Sequence, residues 1–336
     1  MQYANLGRTG CKVSRLCLGT MNFGPRTTEP DSHAIMTKAL DVGINFWDTA
    51  DVYGGKPGEG ATEQILGTWF AANKSKRDQV VLATKYQGAM GQGPNDKGAS
   101  AYHIRQACEG SLRRMQTDHI DLYQMHHINR DTPWEEIYQA LETLRIQGKI
   151  IYAGSSNYAG WHIAAAVEAA RRLGILGIVS EQSKYALSCR HIELEVLPAC
   201  RHYGVAMIPW SPLGGGLLGG VLGADKGARR ASEGMQKRIE EARPQLEKWE
   251  AFCKNLNEKP ADVALAWMLN MPGVTAPIIG PRTMDQLTGS LRALEINLTE
   301  DHMKKLDEIW PPARHPEAGH TYNTPYRYES PEAYAW

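Results

Sequence analysis

The strongest constraint in this sequence is an alternation of short apolar segments with longer segments of helical periodicity, which repeats eight times. Strands this apolar need both faces covered, and eight strand-helix repeats with short connections favour a closed parallel barrel over an open sheet. We therefore predict an α/β fold, a (β/α)8 TIM barrel, formed by residues 1–336 as a single domain. The predicted strands are 16–19, a segment around Asn45, 79–85, 120–125, 150–155, 177–180, 205–210 and 276–279.

Three segments fall outside the alternation. Residues 1–17 carry glycines suited to a turn with positive φ, which predicts an N-terminal β-hairpin. Residues 214–257 open glycine-rich and become basic and helical near 238–249, which predicts a long loop and an extra helix above the barrel mouth. The tail 311–336 is rich in Pro, Tyr and His, and we expect an ordered cap or a flexible tail, with its aromatic residues favouring packing of at least part of it.

Helix boundaries are predicted from periodicity and capping residues. Ser100 is expected to cap the helix that follows it. Thr132 is expected to cap the next one, with Pro133 at its first position and Glu135 completing a capping box. The predicted helices are 32–42, 63–72, 100–115, 132–148, 160–173, 192–202, 260–269, 284–294 and 300–309.

Charge and cysteine content exclude several classes of protein. Lys plus Arg and Asp plus Glu number 37 each, without a long block of one sign, so neither nucleic acid nor a membrane surface is expected as a partner. The six cysteines form no CxxC pair, which favours reduced thiols. There is no apolar signal core, and no segment approaches the roughly 20 apolar residues of a membrane span. We therefore expect a cytoplasmic protein.

Four ionisable residues follow the second, third and fourth predicted strands: Asp48, Tyr53, Lys85 and His126. A barrel gathers these strand ends on one face. A phenol is a poor acid near neutral pH, but a nearby ammonium lowers its pKa, and a carboxylate can hold the ammonium in place. A neutral histidine can hydrogen-bond a carbonyl oxygen and stabilise the charge that develops on hydride arrival. This set predicts carbonyl reduction.

The segments 45–54, 83–85 and 121–126 resemble the motifs of the aldo-keto reductase superfamily, and the resemblance covers nearly the whole chain. It implies a reductase that converts an aldehyde or ketone into an alcohol, with Tyr53 as the general acid supported by Lys85 and Asp48. It implies His126 as the residue that orients the carbonyl. His127 is adjacent, but the spacing from the 121–124 segment favours His126.

The resemblance also implies NADPH as the cofactor. Ser156, Asn157 and Gln182 would hydrogen-bond the carboxamide, and Trp210 would stack on the nicotinamide ring. Arg282 is the leading candidate for the 2′-phosphate, with Arg229 and Arg230 next. The remaining implied cofactor residues are Gly19, Thr20, Met21 and Asp48, then Ser211, Pro212, Leu213, Gly214 and Gly216 beside the pyrophosphate, and Gly280, Gln286 and Ser290 at the adenosine end. Ser290 stands where many relatives have Asn.

Two other site types have partial support in the sequence. The segment 214–219 fits GxGxxG, but it occurs late and belongs to no second βαβ half, which argues against a dinucleotide-binding Rossmann domain. His126 and His127 could ligate a metal in a barrel hydrolase, but no further ligand set accompanies them, so no metal is predicted.

Two alternatives come from relatives within the same superfamily. Some of them, such as potassium-channel β subunits, bind NADPH mainly to regulate a partner. The closing segment 331–336 resembles that of bacterial reductases grouped with nucleotide-sugar reductases, which implies keto-sugar or enoyl-sugar substrates. Retention of His126 fits carbonyl reduction better than reduction of a carbon-carbon double bond. The sequence leaves open the substrate, the stereochemistry, the oligomeric state and whether the tail forms a substrate lid or an interface.

Overall fold

Eight parallel strands surround an apolar interior in the computed structural model, which describes residues 1–55, 58–223 and 232–313. Each of the first six strands is hydrogen-bonded to the next one along the chain, and the last is hydrogen-bonded to the first. Their bounds are β3 Cys17–Gly19, β4 Phe46–Asp48, β5 Val81–Tyr86, β6 Ile120–Met125, β7 Ile150–Ser156, β8 Ile178–Gln182, β9 Ala206–Met207 and β10 Ile278–Ile279.

Two backbone hydrogen bonds join the ends of this sheet. The Thr275 N–H donates to the Met207 carbonyl at 2.8 Å, and the Ile278 N–H donates to the Pro209 carbonyl at 2.8 Å. The sheet is thereby closed, and the predicted (β/α)8 barrel is confirmed. The last two strands are shorter than their apolar segments, because only part of each segment meets a neighbouring strand in ladder register.

The predicted N-terminal hairpin is also confirmed, as β1 Tyr3–Asn5 paired antiparallel with β2 Lys12–Ser14. Leu6 and Val13 are fully buried and pack among the side chains that fill the barrel, so the hairpin closes the amino-terminal end of the barrel. Its turn needs Gly7, which has φ +57°, because a Cβ there would lie 2.4 Å from the Val179 carbonyl oxygen.

Helices cover the outside of the barrel. Within the described residues they are α1 Glu29–Asp41, α2 Ala61–Ala72, α3 Ala101–Met115, α4 Trp134–Ile146, α5 Gly160–Arg172, α6 Val196–Tyr203, α7 Glu233–Glu241, α8 Arg243–Asn255, α9 Pro260–Asn270, α10 Met284–Ser290 and α11 Glu300–Ile309. None of the helices in these ranges combines the length and apolar character that crossing a membrane requires.

Helix starts test the capping predictions. Ser100 accepts a hydrogen bond from the His103 N–H at 3.2 Å and caps α3 as predicted. The prediction for Thr132 is wrong, since α4 begins at Trp134 and Pro133 occupies the cap position in an extended conformation. The Thr132 N–H instead donates to the Asn129 side chain at 3.1 Å, which holds this residue in the preceding loop.

The segments on either side of β9 differ from prediction in detail. The single extra helix expected near 238–249 is two helices, α7 and α8, because Pro244 lies in the first turn of α8 and starts a new helix there. The helix predicted at 192–202 begins with a 3-10 turn at His191–Glu193, and α6 follows from Val196. Of the predicted tail 311–336, only residues 311–313 lie in the described ranges. Arg229 and Arg230 lie outside those ranges as well.

Candidate active site

The four predicted catalytic residues, Asp48, Tyr53, Lys85 and His126, meet at the carboxyl ends of β4, β5 and β6. We refer to them as the quartet. Asp48 is the last residue of β4, Lys85 lies near the end of β5, and His126 follows β6 directly. Tyr53 is in the loop after β4, where the Asp51 N–H donates to the Lys85 carbonyl at 3.2 Å and ties that loop to β5. The barrel thus brings together four side chains separated by up to 78 positions, as the parallel topology requires.

Lys85 is the centre of this group and is fully buried. Its ammonium donates to Asp48 Oδ2 at 2.7 Å, to the Thr49 carbonyl at 2.8 Å and to the Tyr53 phenol oxygen at 3.4 Å. Burial alone would lower the pKa of Lys85, but the Asp48 carboxylate and these hydrogen bonds outweigh it and raise the pKa above 10.5. The side chain is therefore a fixed cation beside the phenol.

Asp48 is held on both of its oxygens. While Oδ2 accepts from Lys85, Oδ1 accepts from Gln182 Nε2 at 2.8 Å and from Gln124 Nε2 at 3.2 Å. Sequence reasoning missed Gln124. The alternation in 120–125 could have found it, because Gln124 lies two positions before His126 in the strand and so shares the barrel-facing side with Leu122.

The acidity of Tyr53 differs from the expectation. Lys85 does lower the pKa of the phenol, but burial has the larger effect, and the net pKa is raised above 10. The Asp48 carboxylate adds to that rise. The phenol is therefore protonated at neutral pH, with a cation in place to stabilise the phenolate once the proton has left.

His126 lies beside this phenol, with ring centroids 5.9 Å apart at an angle of 78°. Burial, together with the Lys85 and His127 side chains, lowers its pKa well below 6.5. The imidazole is thus neutral at pH 7, which its predicted role of orienting a carbonyl would require. His127 stacks on it at 4.8 Å, and burial also lowers its pKa, so the pair carries no charge near neutrality.

Asn157 connects the histidines to the predicted nicotinamide residues. Its amide nitrogen donates to the His126 carbonyl at 3.1 Å, and it lies 3.3 Å from His127 Nδ1 and 3.0 Å from Ser156 Oγ. Its amide oxygen accepts from Trp210 Nε1 at 3.0 Å. Ser156 in turn donates to the Gln182 carbonyl at 2.8 Å. The four residues assigned to the nicotinamide are therefore in one hydrogen-bonded chain with the quartet.

The Trp210 ring is held by a hydrogen bond to its indole N–H and by a cation near the ring. Its N–H is bound to Asn157, and the Lys184 ammonium lies 5.9 Å from the ring centroid. Lys184 was not predicted as a site residue. The ring is half-buried, as expected of a stacking platform that keeps a face open to a ligand.

The predicted pyrophosphate segment continues directly from Trp210. Ser211 has φ +54°, Pro212 is buried and Leu213 is half-buried, and the next three glycines all have positive φ, from +60° to +106°. Around Gly216 no atom lies within 4 Å of a Cβ built on it, so this backbone is open to a ligand. Arg238 of α7, another residue missed by sequence reasoning, donates to the Gly214 carbonyl at 3.0 Å and adds positive charge beside the loop.

Residues assigned to the adenosine end lie after β10. Asn22 Nδ2 donates to the Gly280 carbonyl at 2.8 Å and brings this segment against the loop after β3. Gln286 caps the Arg282 N–H at 2.8 Å, and Ser290 donates back to the Gln286 carbonyl at 2.8 Å, so both side chains serve their own turn and helix. Arg282 is exposed.

The loop after β3 supplies the remaining predicted residues. Gly19 pairs with Asp48 across the strands, and a Cβ there would lie 2.4 Å from the Ile278 side chain. The Thr20 hydroxyl is buried and donates to the Asp48 carbonyl at 2.9 Å, which anchors the loop. Met21 is 51% exposed. Within the described ranges, no cluster of three or more His, Cys, Asp or Glu side chains is arranged to bind a metal.

Comparison of the sequence with known proteins identifies its family. The model of the aldo/keto reductase family matches residues 15–311. An uncharacterized oxidoreductase, YrpG of Bacillus subtilis (strain 168), is 51% identical over all of both chains. Versiconal hemiacetal acetate reductase of Aspergillus parasiticus is 32% identical, covering 94% of this chain and 99% of its own length. A probable voltage-gated potassium channel subunit beta of Oryza sativa subsp. japonica is 32% identical, covering 92% and 96%.

Proposed function

Since this chain belongs to the aldo/keto reductase family and is an oxidoreductase of that family, we propose that it reduces an aldehyde or ketone to an alcohol with NADPH, using Tyr53 as the general acid. The observation that carries this proposal is the buried Lys85, which contacts Asp48 and the Tyr53 phenol at once. A cation buried at that point has a direct use, because it stabilises the phenolate that proton transfer leaves behind.

The residues fit a nicotinamide cofactor. The Trp210 ring, fixed by Asn157, provides a flat surface, and Ser156, Asn157 and Gln182 provide hydrogen-bonding groups next to it. The open backbone around Gly216 offers room beside Arg238 for the phosphates. When bound, NADPH would supply the hydride, and Arg282 is the exposed cation suited to its 2′-phosphate.

The side chains divide the work of the proton transfer. Neutral His126 would donate a hydrogen bond to the carbonyl oxygen and orient it. The Tyr53 hydroxyl would deliver its proton to that oxygen as negative charge develops there. Lys85 would stabilise the resulting phenolate, and Asp48 would keep the ammonium in place. The pKa of Tyr53, raised by burial, keeps the donor protonated throughout the neutral range.

The substrate class follows from the reductase relatives and from the site. Reductases stand among the similar proteins, and the neutral histidine pair offers hydrogen bonding without charge. We propose a carbonyl substrate, with a keto-sugar as one member of the class to test. A regulatory role is the second candidate, because the rice relative named as a channel β subunit aligns along nearly the whole chain.

Turnover separates the two candidates. NADPH loss would be followed at its near-ultraviolet absorbance against a panel of aldehydes, ketones and keto-sugars. The Tyr53→Phe variant should lose about 10²- to 10⁴-fold in kcat while binding NADPH like the wild type, because it lacks only the proton donor. A protein that binds NADPH without oxidising it on any carbonyl would favour the regulatory role. A Tyr53→Phe variant with more than half the wild-type kcat would remove Tyr53 as the acid.

A further inference from the structure

Glu181 is a fully buried carboxyl in β8 that the proposed reaction does not use. It accepts hydrogen bonds from Ser155 Oγ at 2.5 Å, from Ser183 Oγ at 2.6 Å and from the Tyr158 N–H at 3.1 Å. No cation pairs with it in the part of the chain that the structure describes. It is therefore a junction built from hydrogen bonds, which joins the end of β7, the turn after β7 and the end of β8.

The turn that Glu181 grips contains Asn157, which has φ +58°. A residue with a side chain in this left-handed region carries backbone strain and persists only where its surroundings hold it. Glu181 binds Ser155 on one side of Asn157 and Tyr158 on the other, and the Gln182 carbonyl accepts from the Asn157 N–H at 2.9 Å. The strained residue is thus fixed from both sides by β8.

We infer that Glu181 is a positioning residue of the reductase site, because its carboxyl fixes the turn that aims the Asn157 amide at His126, His127 and Trp210. The inference rests on the proposed function. Asn157 is the hydrogen-bonding link between the carbonyl-orienting histidine and the nicotinamide platform, so a small rotation of this turn would displace both. Glu181 acts through that turn and makes no contact of its own with a substrate.

The hydrogen bonds of the junction can form in either charge state of the carboxyl. Burial raises the pKa of Glu181 to about 7, so both forms are populated near neutrality. A serine hydroxyl can donate or accept, so a protonated Glu181 can donate to Ser155 while its other oxygen still accepts from Tyr158. Glutamine can make the same set of bonds. Methionine, which has a similar length, cannot, and it leaves the buried Tyr158 N–H without an acceptor.

Glu181→Met and Glu181→Gln therefore form the test. We expect Glu181→Met to lower kcat/KM for the best carbonyl of the panel by about 10- to 100-fold, a loss on the scale of leaving one buried N–H unpaired. The same variant should also bind NADPH more weakly. Glu181→Gln should stay within about threefold of the wild type. Tyr138→Phe is the matched control, because it removes a buried hydrogen bond to the Ala166 carbonyl near the opposite end of β8. It should lower the melting temperature without changing kcat, KM or NADPH affinity.

A double variant tests whether Glu181 acts through Asn157. Asn157→Gly keeps the left-handed backbone and removes the amide, so adding Glu181→Met to it should cost little more activity. The inference would be overturned if the activity losses of the two single variants multiplied in the double variant. It would also be overturned if Glu181→Met had wild-type kinetics, or if Glu181→Gln lost as much activity as Glu181→Met. If Glu181→Met does not fold, Ser183→Ala removes one donor and should give a smaller loss of the same kind. If the wild type reduces no carbonyl, the proposed function fails, and NADPH affinity alone decides the role of Glu181.

Discussion

Replacing Asp48 by Asn tests the buried ion pair that holds the site together. Asn keeps the shape and an oxygen for Lys85 but removes the negative charge 2.7 Å from a fully buried ammonium. Breaking such a pair on one side leaves an uncompensated buried charge, which costs about 3–5 kcal/mol of unfolding free energy. The Thr49 carbonyl and the Tyr53 phenol remain as hydrogen-bond acceptors, so we expect the lower half of that range at pH 7.

The pH dependence of this loss identifies its cause. In the wild type, the pKa of Lys85 is raised above 10.5, so its stabilising contribution is complete at neutral pH and is lost only when the pH rises through that higher value. Without Asp48, burial dominates and the folded-state pKa falls below the unfolded one. The variant should then regain about 1.4 kcal/mol for each pH unit above its new folded pKa.

The assay is denaturant unfolding at pH 7 and pH 9, followed by tryptophan fluorescence, for Asp48→Asn, Lys85→Met and the double variant. The double variant should be less destabilised than the sum of the single variants, since it buries no unpaired ammonium. A loss in Asp48→Asn that is the same at both pH values, together with additive single losses, would refute the reasoning from a buried charge pair.

Three further predictions follow from the same geometry. Burial raises the pKa of Glu181 to about 7, so the folded state binds a proton that the unfolded chain has already lost. The wild type should therefore lose up to roughly 3 kcal/mol of stability relative to Glu181→Gln as the pH rises from 5 to 8. Unfolding curves of both proteins at both pH values measure this, and a constant difference in stability would contradict it. Arg282→Ala should weaken NADPH binding far more than NADH binding in fluorescence titrations, and equal losses would move the assignment elsewhere. Because the pKa of His126 lies well below 6.5, kcat for reduction should stay flat between pH 6 and 7.5. A steep rise or fall across that interval that persists in Glu181→Gln would show a titrating histidine and contradict this.

The sequence predicts the barrel and the positions of the quartet well, for one physical reason. Apolar segments such as 79–85 must be covered on both faces, and a parallel barrel then leaves only one place for the residues that follow them. The ends of β4, β5 and β6 therefore lie together, regardless of the sequences of the helices between them. Helix starts are harder to predict, as α4 shows, because the extended backbone of Pro133 moves the cap one residue beyond Thr132.

What the sequence does not predict is the balance between burial and charge. Lys85 beside Tyr53 suggests a lowered phenol pKa, but the net effect has the opposite sign because desolvation depends on packing by many distant residues. The contacts of Gln124 and Glu181 are not predictable from the sequence for a related reason. Their partners are distant in sequence, and only the fold shows that Gln124 contacts Asp48 and that Glu181 contacts the Asn157 turn.

Label transfer tests the central claim most directly. The wild-type protein would be given NADPH carrying deuterium at both C4 positions and the best carbonyl of the panel, and the alcohol would be analysed by mass spectrometry. Hydride transfer from NADPH to the carbonyl carbon should place one deuterium on the carbinol carbon of the product, in step with NADPH loss. Tyr53→Phe should give at least about 10²-fold less labelled product. NADPH consumed without labelled alcohol, or equal labelling by Tyr53→Phe, would contradict this claim.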